Sequence, residues 1–216
     1  MKLLLTSAGL EGGLKIKKAF LEILGEKPAK AKVLLVIMAT PGSADWQRLR
    51  RHIRRLNRVG IATKNISLFN LDRKIRKEDT ANINLIYVCG GNTFLYLDSI
   101  RKTGFDKEIK RLVKKGIGYF GISAGSMVTG LNIESANWKH ADRNIIKLKN
   151  LNALNLVPFV MSVHLDKSNI ETVKKSTSKA NYPVFAITDR QAILVRDEFT
   201  TLIGEDKLSF IKLPNK

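Results

Sequence analysis

Gly121-Ile122-Ser123-Ala124-Gly125 follows an apolar run and precedes a plausible helix start, so this stretch marks a strand that turns sharply into a helix. Its pattern is G-x-S-x-G. Such an elbow lifts the serine hydroxyl out of the sheet and aims the next backbone N–H at an incoming carbonyl. Small flanking residues are needed because the turn is strained and the chain on either side comes close. The pattern makes Ser123 a candidate nucleophile, although short Gly/Ser strings also occur at ordinary strand-to-helix turns.

A serine nucleophile needs a base, and histidine is the usual one near neutral pH. The chain has three histidines, His52, His140 and His164. His52 lies in an amphipathic, arginine-rich helical stretch, where we expect it on the surface among cations. His140 lies in a polar connection. His164 ends the apolar run 156–163 and emerges at a strand end, where α/β sheets bind ligands. The pattern therefore favours His164 as the base.

A diglycine closes the strand-like run 85–88 and leaves backbone N–H groups free to point at a ligand. Without side chains at this point, the backbone can approach a substrate closely. Gly91 could supply one N–H of an oxyanion hole, and Ala124, just after the candidate nucleophile, could supply the other. The alternative is a tight strand-to-helix connection in which Asn92 or Thr93 caps the next helix. Both interpretations can hold together.

Taken in order, the diglycine motif at 90–93, the elbow at 121–125 and His164 after an apolar strand resemble the peptidase E and cyanophycinase family of serine peptidases. The opening residues 3–9 and the turn at 39–41 also fit this family, so the similarity covers most of the chain. The combination is far more specific than any single motif. The resemblance implies a fold like that of the class I glutamine amidotransferases.

The resemblance also implies the site residues. Ser123 is the nucleophile, His164 is the base, and the N–H groups of Gly91 and Ala124 form the oxyanion hole. The third member of the triad is an acid on a late strand turn, and the matching position is Asp189. No metal and no organic cofactor are expected.

The identity of the acid has an alternative. Asp166 stands two residues after His164, the spacing of the His-x-Glu in glutamine amidotransferases, but it could equally cap the next helix. The family match favours Asp189, although the family often has glutamate there and aspartate reaches less far. Asn92 and Arg190 are candidate substrate-binding residues, and Arg190 could instead pair with Asp189.

Short apolar runs alternate with helix-like stretches along the chain. The runs predicted as buried strands lie near residues 2–6, 32–39, 84–89, 116–122, 156–163 and 183–188, with further candidates at 65–71 and 192–195. Helices are predicted over 14–24, 46–59, 94–113 and 168–178, and a hairpin of 201–203 and 208–211 is predicted to close the tail. The alternation predicts an α/β fold, with a mostly parallel sheet and helices on both faces, in one domain over residues 1–216.

The chain is strongly basic, with 38 basic and 19 acidic residues and a net charge of +19. Such a domain is a candidate for nucleic-acid binding. However, most cations lie opposite apolar stripes on amphipathic helices, and no aromatic residues are interleaved to stack bases, so nucleic acid is not expected as the main partner. The positive potential would instead attract small acidic peptides. Lys139, Lys167 and Arg190 are cations near the candidate triad in sequence or motif.

The remaining features predict a cytoplasmic enzyme without a membrane partner. The single Cys89 excludes an intrachain disulfide and suits a reducing compartment. We expect no signal peptide, because the apolar run at residues 3–5 is too short for one. No apolar run approaches the roughly 20 residues of a membrane span. A monomer or homodimer is expected.

Together these features predict a serine-type peptidase that hydrolyses small peptides through an acyl-enzyme on Ser123. The preferred substrates, dipeptides with an N-terminal aspartate, follow from the resemblance. One alternative is a related serine hydrolase that acts on another amide or ester. An alternative of a different class is a non-catalytic basic protein that binds nucleic acid.

Overall fold

A seven-stranded, mostly parallel sheet forms the centre of the fold in the computed structural model, which describes residues 1–39, 44–139, 142–204 and 206–213. The strands within these residues are β1 (Lys2–Thr6), β2 (Val33–Ile37), β3 (Ile66–Asn70), β4 (Leu85–Val88), β5 (Gly118–Ile122), β6 (Val160–Ser162), β7 (Val184–Ala186), β8 (Gln191–Arg196), β9 (Phe199–Gly204) and β10 (Phe210–Lys212). The helices are α1 (Leu14–Leu24), α2 (Ala44–Arg58), α3 (Thr93–Thr103), α4 (Phe105–Lys114), α5 (Ala124–Met127) and α6 (Ile170–Ser178).

The large sheet has the strand order β3-β2-β4-β5-β1-β8-β9. Its first five strands are parallel, and β8 and β9 are antiparallel to their neighbours. A second, three-stranded sheet has the order β10-β7-β6, with β6 and β7 parallel. Ligands of such open sheets bind beyond the carboxyl ends of the parallel strands. A ligand site is therefore expected at the carboxyl ends of β1, β4 and β5.

Helices cover both faces of the large sheet. Successive side chains of a strand point to opposite faces. Leu4 of β1 accordingly packs in one cluster with Phe20 of α1, and α2 contributes to the same cluster. Leu3 packs in the other cluster with Phe94 of α3 and Ile109 of α4. The predicted α/β architecture is confirmed, while the extent of one domain over residues 1–216 stays a prediction.

The prediction of one helix over 94–113 is wrong, because the structure has two helices there, α3 and α4. Gly104 adopts φ +77°, a left-handed conformation that glycine tolerates, and it separates α3 from α4. Its N–H donates to the carbonyl of Arg101 and closes the last turn of α3. The chain therefore begins a second helix, α4, at Phe105.

The predicted tail hairpin is also wrong. Residues 201–203 lie in β9, which pairs with β8, and residues 210–211 lie in β10, which pairs with β7 of the small sheet. The predicted strand over 156–163 is shorter than expected, because the N–H groups of Leu156 and Val157 donate to the carbonyl of Thr129 before β6 begins.

His52 is buried rather than on the surface, with only 8% of its area exposed. It lies three residues after Leu49 and four before Leu56, so it shares their inward face of α2. Its Nδ1 is 3.0 Å from the hydroxyl of Tyr87 on β4. Neighbours of His52 in sequence such as Arg51 and Arg54 are exposed, and the prediction failed because it assigned His52 to the same environment.

Two predicted features lie outside the described residues, namely His140 and most of the turn at 39–41. Across the described ranges, no helix combines the length and apolar character that a bilayer span requires.

Candidate active site

The candidate nucleophile lies at a strained turn between β5 and α5. Ser123 has φ +50° and ψ −114°, a conformation that non-glycine residues rarely adopt. A Cβ on Gly121 would lie 2.7 Å from the carbonyl oxygen of Gly125, and a Cβ on Gly125 would lie 2.5 Å from that of Val88. Both glycines of the G-x-S-x-G pattern are therefore required sterically, because the start of α5 packs directly on β4 and β5.

Hydrogen bonds from neighbouring elements hold this elbow in place. The N–H of Ser123 donates to the carbonyl of Thr6, 2.9 Å away, at the end of β1. The hydroxyl of Ser126 accepts from the N–H of Thr6 at 2.9 Å and donates to its carbonyl at 2.7 Å. The hydroxyl of Tyr119 donates to the carbonyl of Gly125 at 2.6 Å. The position of Ser123 is thus fixed from both sides.

His164 connects Ser123 to Asp189. The hydroxyl oxygen of Ser123 is 2.9 Å from Nε2 of His164, and Nδ1 of the same ring is 2.6 Å from Oδ1 of Asp189. A carboxylate that faces Nδ1 keeps the proton on that nitrogen, which leaves the lone pair of Nε2 facing the serine hydroxyl. The side chains of His164 and Asp189 are 47% and 60% exposed, so substrate can reach them.

Ser7, at the end of β1, joins this arrangement and was not singled out by the sequence reasoning. Its buried hydroxyl donates to Oδ1 of Asp189 at 2.5 Å and accepts from the backbone N–H of His164 at 2.8 Å. It also lies 3.0 Å from Nδ1 of His164. One feature of the sequence could have identified Ser7: it directly follows β1, a buried strand parallel to β5. Parallel strands end at the same edge of the sheet, so Ser7 is close to Ser123.

The two candidate acids have different surroundings. Hydrogen bonds from His164 and then from Ser7 hold the pKa of the Asp189 carboxyl below its usual range. Asp166 instead accepts from the hydroxyl of Ser168 at 2.5 Å and from the N–H of Asn169 at 3.1 Å. The hydrogen bonds from Ser168 also lower the pKa of Asp166. Asp166 therefore bonds within the turn that leads into α6.

The diglycine lies against the nucleophile. A Cβ on Gly90 would lie 3.1 Å from Cβ of Ser123, so the backbone passes close to the reacting oxygen. Gly91 follows, and Ala124 is the first residue of α5, so its N–H has no acceptor within the helix. Gly91 lines a cavity together with Ser123, and the role of the Gly91 and Ala124 N–H groups as an oxyanion hole stays a prediction.

Two cavities meet at Ser123 and His164. The first, the Lys139 cavity, has a volume of about 230 Å³ and is also lined by Ser135, Lys139 and Asp142. The second, the arginine cavity, has a volume of about 310 Å³ and is also lined by Glu11, Arg48, Arg51, Arg55 and the diglycine.

The Lys139 cavity carries one charge of each sign. The ammonium of Lys139 donates to the carbonyl of Val163, and burial lowers its pKa to about 8 against the opposing effect of nearby aspartates. Asp142 accepts from both the N–H and the hydroxyl of Thr93 at the start of α3. A charged ligand that enters this cavity therefore meets a fixed cation and a fixed anion beside the nucleophile.

The sequence model of peptidase family S51 matches residues 3–203 of this chain. The chain belongs to peptidase family S51. The resemblance to peptidase E found in the sequence is thereby confirmed.

Similar sequences come from several bacteria. This S51 chain is 35% identical over 141 residues to an uncharacterized peptidase of Listeria monocytogenes and 38% identical over 146 residues to one of Listeria innocua. These alignments cover 64% and 65% of the chain, and 65% of each relative, which is less than two thirds of the relatives' length. A peptidase E of Shewanella oneidensis is 33% identical over 131 residues, which cover 56% of the chain and 54% of the relative.

Solved structures share the fold. The structure of a candidate peptidase E protein from Listeria monocytogenes superposes with a TM-score of 0.77 at 23% identity, and covers 95% of this chain and 98% of its own. A peptidase from an acI-B1 Actinobacterium has a TM-score of 0.63 at 14% identity, over 100% of this chain and 95% of its own. At these identities the likeness shows the fold alone.

Asn92 and Arg190, the other predicted site residues of this S51 chain, are not among the residues that line the two cavities. Asn92 is the N-cap of α3, where its side chain accepts from the N–H groups of Phe94 and Leu95 and donates to the carbonyl of Arg143. Arg190 is exposed on the turn after β7. Their part in substrate binding stays a prediction.

Within the residues described, no group of three or more His, Cys, Asp or Glu side chains is arranged to hold a metal ion.

Proposed function

We propose that this S51 chain is a serine-type peptidase in which Ser123 is the nucleophile, His164 the general base and Asp189 the residue that orients the base. The observation that carries the proposal is the continuous chain of contacts, 2.9 Å from Ser123 to Nε2 and 2.6 Å from Nδ1 to Asp189. These distances lie within hydrogen-bond reach, the geometry that a serine nucleophile needs to lose its proton.

In the first half of the reaction, Oγ of Ser123 attacks the scissile carbonyl carbon while Nε2 of His164 accepts the hydroxyl proton. The carbonyl electron pair moves to the oxygen, which the N–H groups of Gly91 and Ala124 stabilise. When the C–N bond breaks, Nε2–H returns the proton to the departing amine. Asp189 stabilises the imidazolium that forms in between.

In the second half, a water molecule attacks the acyl-enzyme and gives its proton to Nε2 of His164. The ester bond breaks, Ser123 regains its proton from His164, and the acid product leaves. The strained elbow keeps Oγ in the same place in both halves, since the backbone N–H of Ser123 stays bonded to Thr6.

We further propose that the preferred substrate carries an N-terminal aspartate, and that this residue occupies the Lys139 cavity. The side-chain carboxylate would bind the ammonium of Lys139, and the α-ammonium group would bind the carboxylate of Asp142. The opposite charges in one cavity support this orientation. A cytoplasmic location, a monomeric or dimeric state and the absence of a cofactor stay predictions.

The test measures the hydrolysis of four p-nitroanilides by the wild type and variants. The four compounds are the p-nitroanilides of Asp, Ala, Lys and N-acetyl-Asp. Wild type should cleave the Asp compound best and the acetylated one poorly, and Ser123→Ala should lower kcat by about 10⁴-fold or more. Lys139→Met should lower kcat/KM for Asp by about 10- to 100-fold and leave that for Ala within a few-fold.

Lys167→Met is the matched control, since Lys167 is exposed, close in sequence and outside the cavity. Because burial lowers the pKa of Lys139 to about 8, selectivity for Asp over Ala should decline as the pH rises past 8. Full activity of Ser123→Ala would refute the assigned nucleophile, and equal cleavage of Asp and Ala by the wild type would refute the substrate.

A further inference from the structure

The connection between β4 and α3, residues 90–93, contacts two separate parts of the candidate site. At its first residue, a Cβ on Gly90 would lie 3.1 Å from Cβ of Ser123. At its last residue, Thr93 bonds to Asp142, which lines the Lys139 cavity together with Ser123. The position of the Asp142 carboxylate relative to the nucleophile therefore depends on this short connection.

The carboxylate of Asp142 is held at the start of α3. The backbone N–H of Thr93 donates to Oδ2 of Asp142 at 2.9 Å, and the hydroxyl of Thr93 donates to the same oxygen. Thr93 is the first residue of α3, so its N–H has no acceptor within the helix, and the helix dipole favours an anion at this end. Only 1% of Thr93 is exposed, so packing keeps its hydroxyl in place.

Asn92 holds the backbone beside this carboxylate. Its Oδ1 accepts from the N–H groups of Phe94 and Leu95, each at 3.1 Å, and thereby caps α3. Its Nδ2 donates to the carbonyl of Arg143 at 2.9 Å, one residue after Asp142. One side chain thus fixes both the start of the helix and the segment that carries Asp142.

We infer that Asn92 and Thr93 are positioning residues for recognition of the free amine of the substrate, because they hold the carboxylate that binds it. The inference rests on the proposed function, which assigns the α-ammonium group to Asp142. It goes beyond that assignment by making the choice between a free and a blocked amine depend on two residues outside the lining of the Lys139 cavity.

This role predicts an effect on substrate binding rather than on the chemical step. The contacts from Ser123 through His164 to Asp189 include neither positioning residue. A displaced Asp142 should weaken binding of a substrate with a charged amine, and an acetylated amine has no charge to lose. A merely structural role would instead lower kcat for both kinds of substrate through the connection to Gly90.

The experiment measures kcat and KM for the p-nitroanilides of Asp and N-acetyl-Asp. Wild type should favour the free amine in kcat/KM. Thr93→Val keeps the shape of the side chain without its hydroxyl and should reduce this preference by about 10-fold or more, through KM. Thr93→Ser should restore it. Asn92→Ser keeps a helix cap, removes the donor to Arg143 and should reduce the preference in the same way.

Thr103→Val is the matched control. Thr103 is also buried, lies at the other end of α3 and donates its hydroxyl to the carbonyl of Ser99 at 2.8 Å. The same substitution there should leave the preference for the free amine unchanged.

The variants separate the possible failures. If Asp142→Asn removes the preference but Thr93→Val keeps it, the positioning role is overturned and the proposed function stands. An equal effect of Thr103→Val and Thr93→Val would also overturn the role. If the wild type cleaves both compounds equally, the proposed amine site and the positioning role fall together, while Ser123→Ala still tests the nucleophile.

A binding measurement gives the same comparison without turnover. Calorimetric titration of Ser123→Ala with Asp-Ala and N-acetyl-Asp-Ala should show tighter binding of the free amine. Adding Thr93→Val should bring the two dissociation constants closer by about 10-fold or more, and adding Thr93→Ser should not. An undiminished difference after Thr93→Val would overturn the inference.

Discussion

Two residues of the candidate site hold backbone conformations that side chains other than glycine seldom adopt. Ser123 has φ +50° and His164 has φ +56°. Each such residue costs about 1–3 kcal/mol and persists only where neighbours determine it. Both N–H groups are satisfied from β1 and the residue after it, that of Ser123 by the carbonyl of Thr6 and that of His164 by the hydroxyl of Ser7. One short segment thus positions both the nucleophile and the base.

Replacement of Ser7 by alanine tests this positioning. The variant leaves the N–H of His164 without its acceptor and removes one of the two hydrogen-bond donors to Asp189, so we expect the free energy of unfolding to fall by about 1–3 kcal/mol. We expect kcat to fall by about 10- to 100-fold through misplacement of the base, with little change in KM.

Ser126→Ala is the control for Ser7→Ala, because Ser126 also bonds to the backbone of β1 but does not contact His164 or Asp189. Urea titrations should show a similar loss in the free energy of unfolding for Ser126→Ala and Ser7→Ala. The kcat of Ser126→Ala should fall much less than that of Ser7→Ala. An unchanged kcat in Ser7→Ala would contradict the role of this hydroxyl.

At the scale of elements, the site depends on how closely α5 approaches the strands. The helix is only four residues long, so its own hydrogen bonds contribute little, and its position is set by packing on β4 and β5. Val88 at the end of β4 and Gly121 near the end of β5 both meet the backbone of Gly125. The elbow is therefore a property of three elements rather than of the motif alone.

Gly125→Ala should accordingly displace the elbow. Its Cβ would meet the carbonyl oxygens of Val88 at 2.5 Å and Cys89 at 3.0 Å, and backbone cannot move aside as a flexible side chain does. We expect a loss of about 1–3 kcal/mol in the free energy of unfolding and about 100-fold or more in kcat.

Gly104→Ala provides the comparison, because φ is +77° there but nothing lies within 4 Å of the added Cβ. It should cost about 1–2 kcal/mol from backbone strain and keep full kcat. If both variants kept full kcat, the close approach of α5 would not matter for the site.

At the scale of the whole molecule, the net charge of +19 affects which groups can be buried in a charged form. His52 is enclosed between α2 and β4, with Arg48, Arg51 and Arg55 on its own helix and Glu11 and Tyr87 opposite. Burial and the three arginines lower its pKa from 6.5 to about 4. Protonation of His52 therefore opposes the folded state.

This makes stability dependent on pH. The folded pKa lies below the unfolded value, so the unfolded state binds more protons between pH 6.5 and 4, and the free energy of unfolding should fall as the pH drops through this window. The contribution of His52 is about 3 kcal/mol over the full window. Urea titrations at pH 7, 5.5 and 4 would measure it, and His52→Gln should remove this part of the slope. The prediction is wrong if the slopes of wild type and variant coincide.

The sequence by itself determined the local features of this protein. Alternating apolar runs and amphipathic stretches predicted most strands and helices, because side-chain periodicity is read directly from neighbouring residues. The glycines around Ser123 and the diglycine before Asn92 predicted two turns at strand ends. In the structure, an added Cβ would meet backbone at Gly121 and Gly125, the side chain of Ser123 at Gly90 and the ring of Tyr96 at Gly91. The order of these motifs was enough to predict the family.

Only the tertiary structure decided which distant groups meet. Ser7 and Asp189 are 182 residues apart in sequence. Asp166 is much closer to His164 in sequence than Asp189 is, yet Asp189 is the acid that contacts the ring. The pairing of the tail strands, the burial of His52 and the convergence of the α2 arginines on Ser123 were equally hidden. Each of these features depends on which elements lie side by side. The packing of the whole chain sets that arrangement, and local sequence patterns do not specify it.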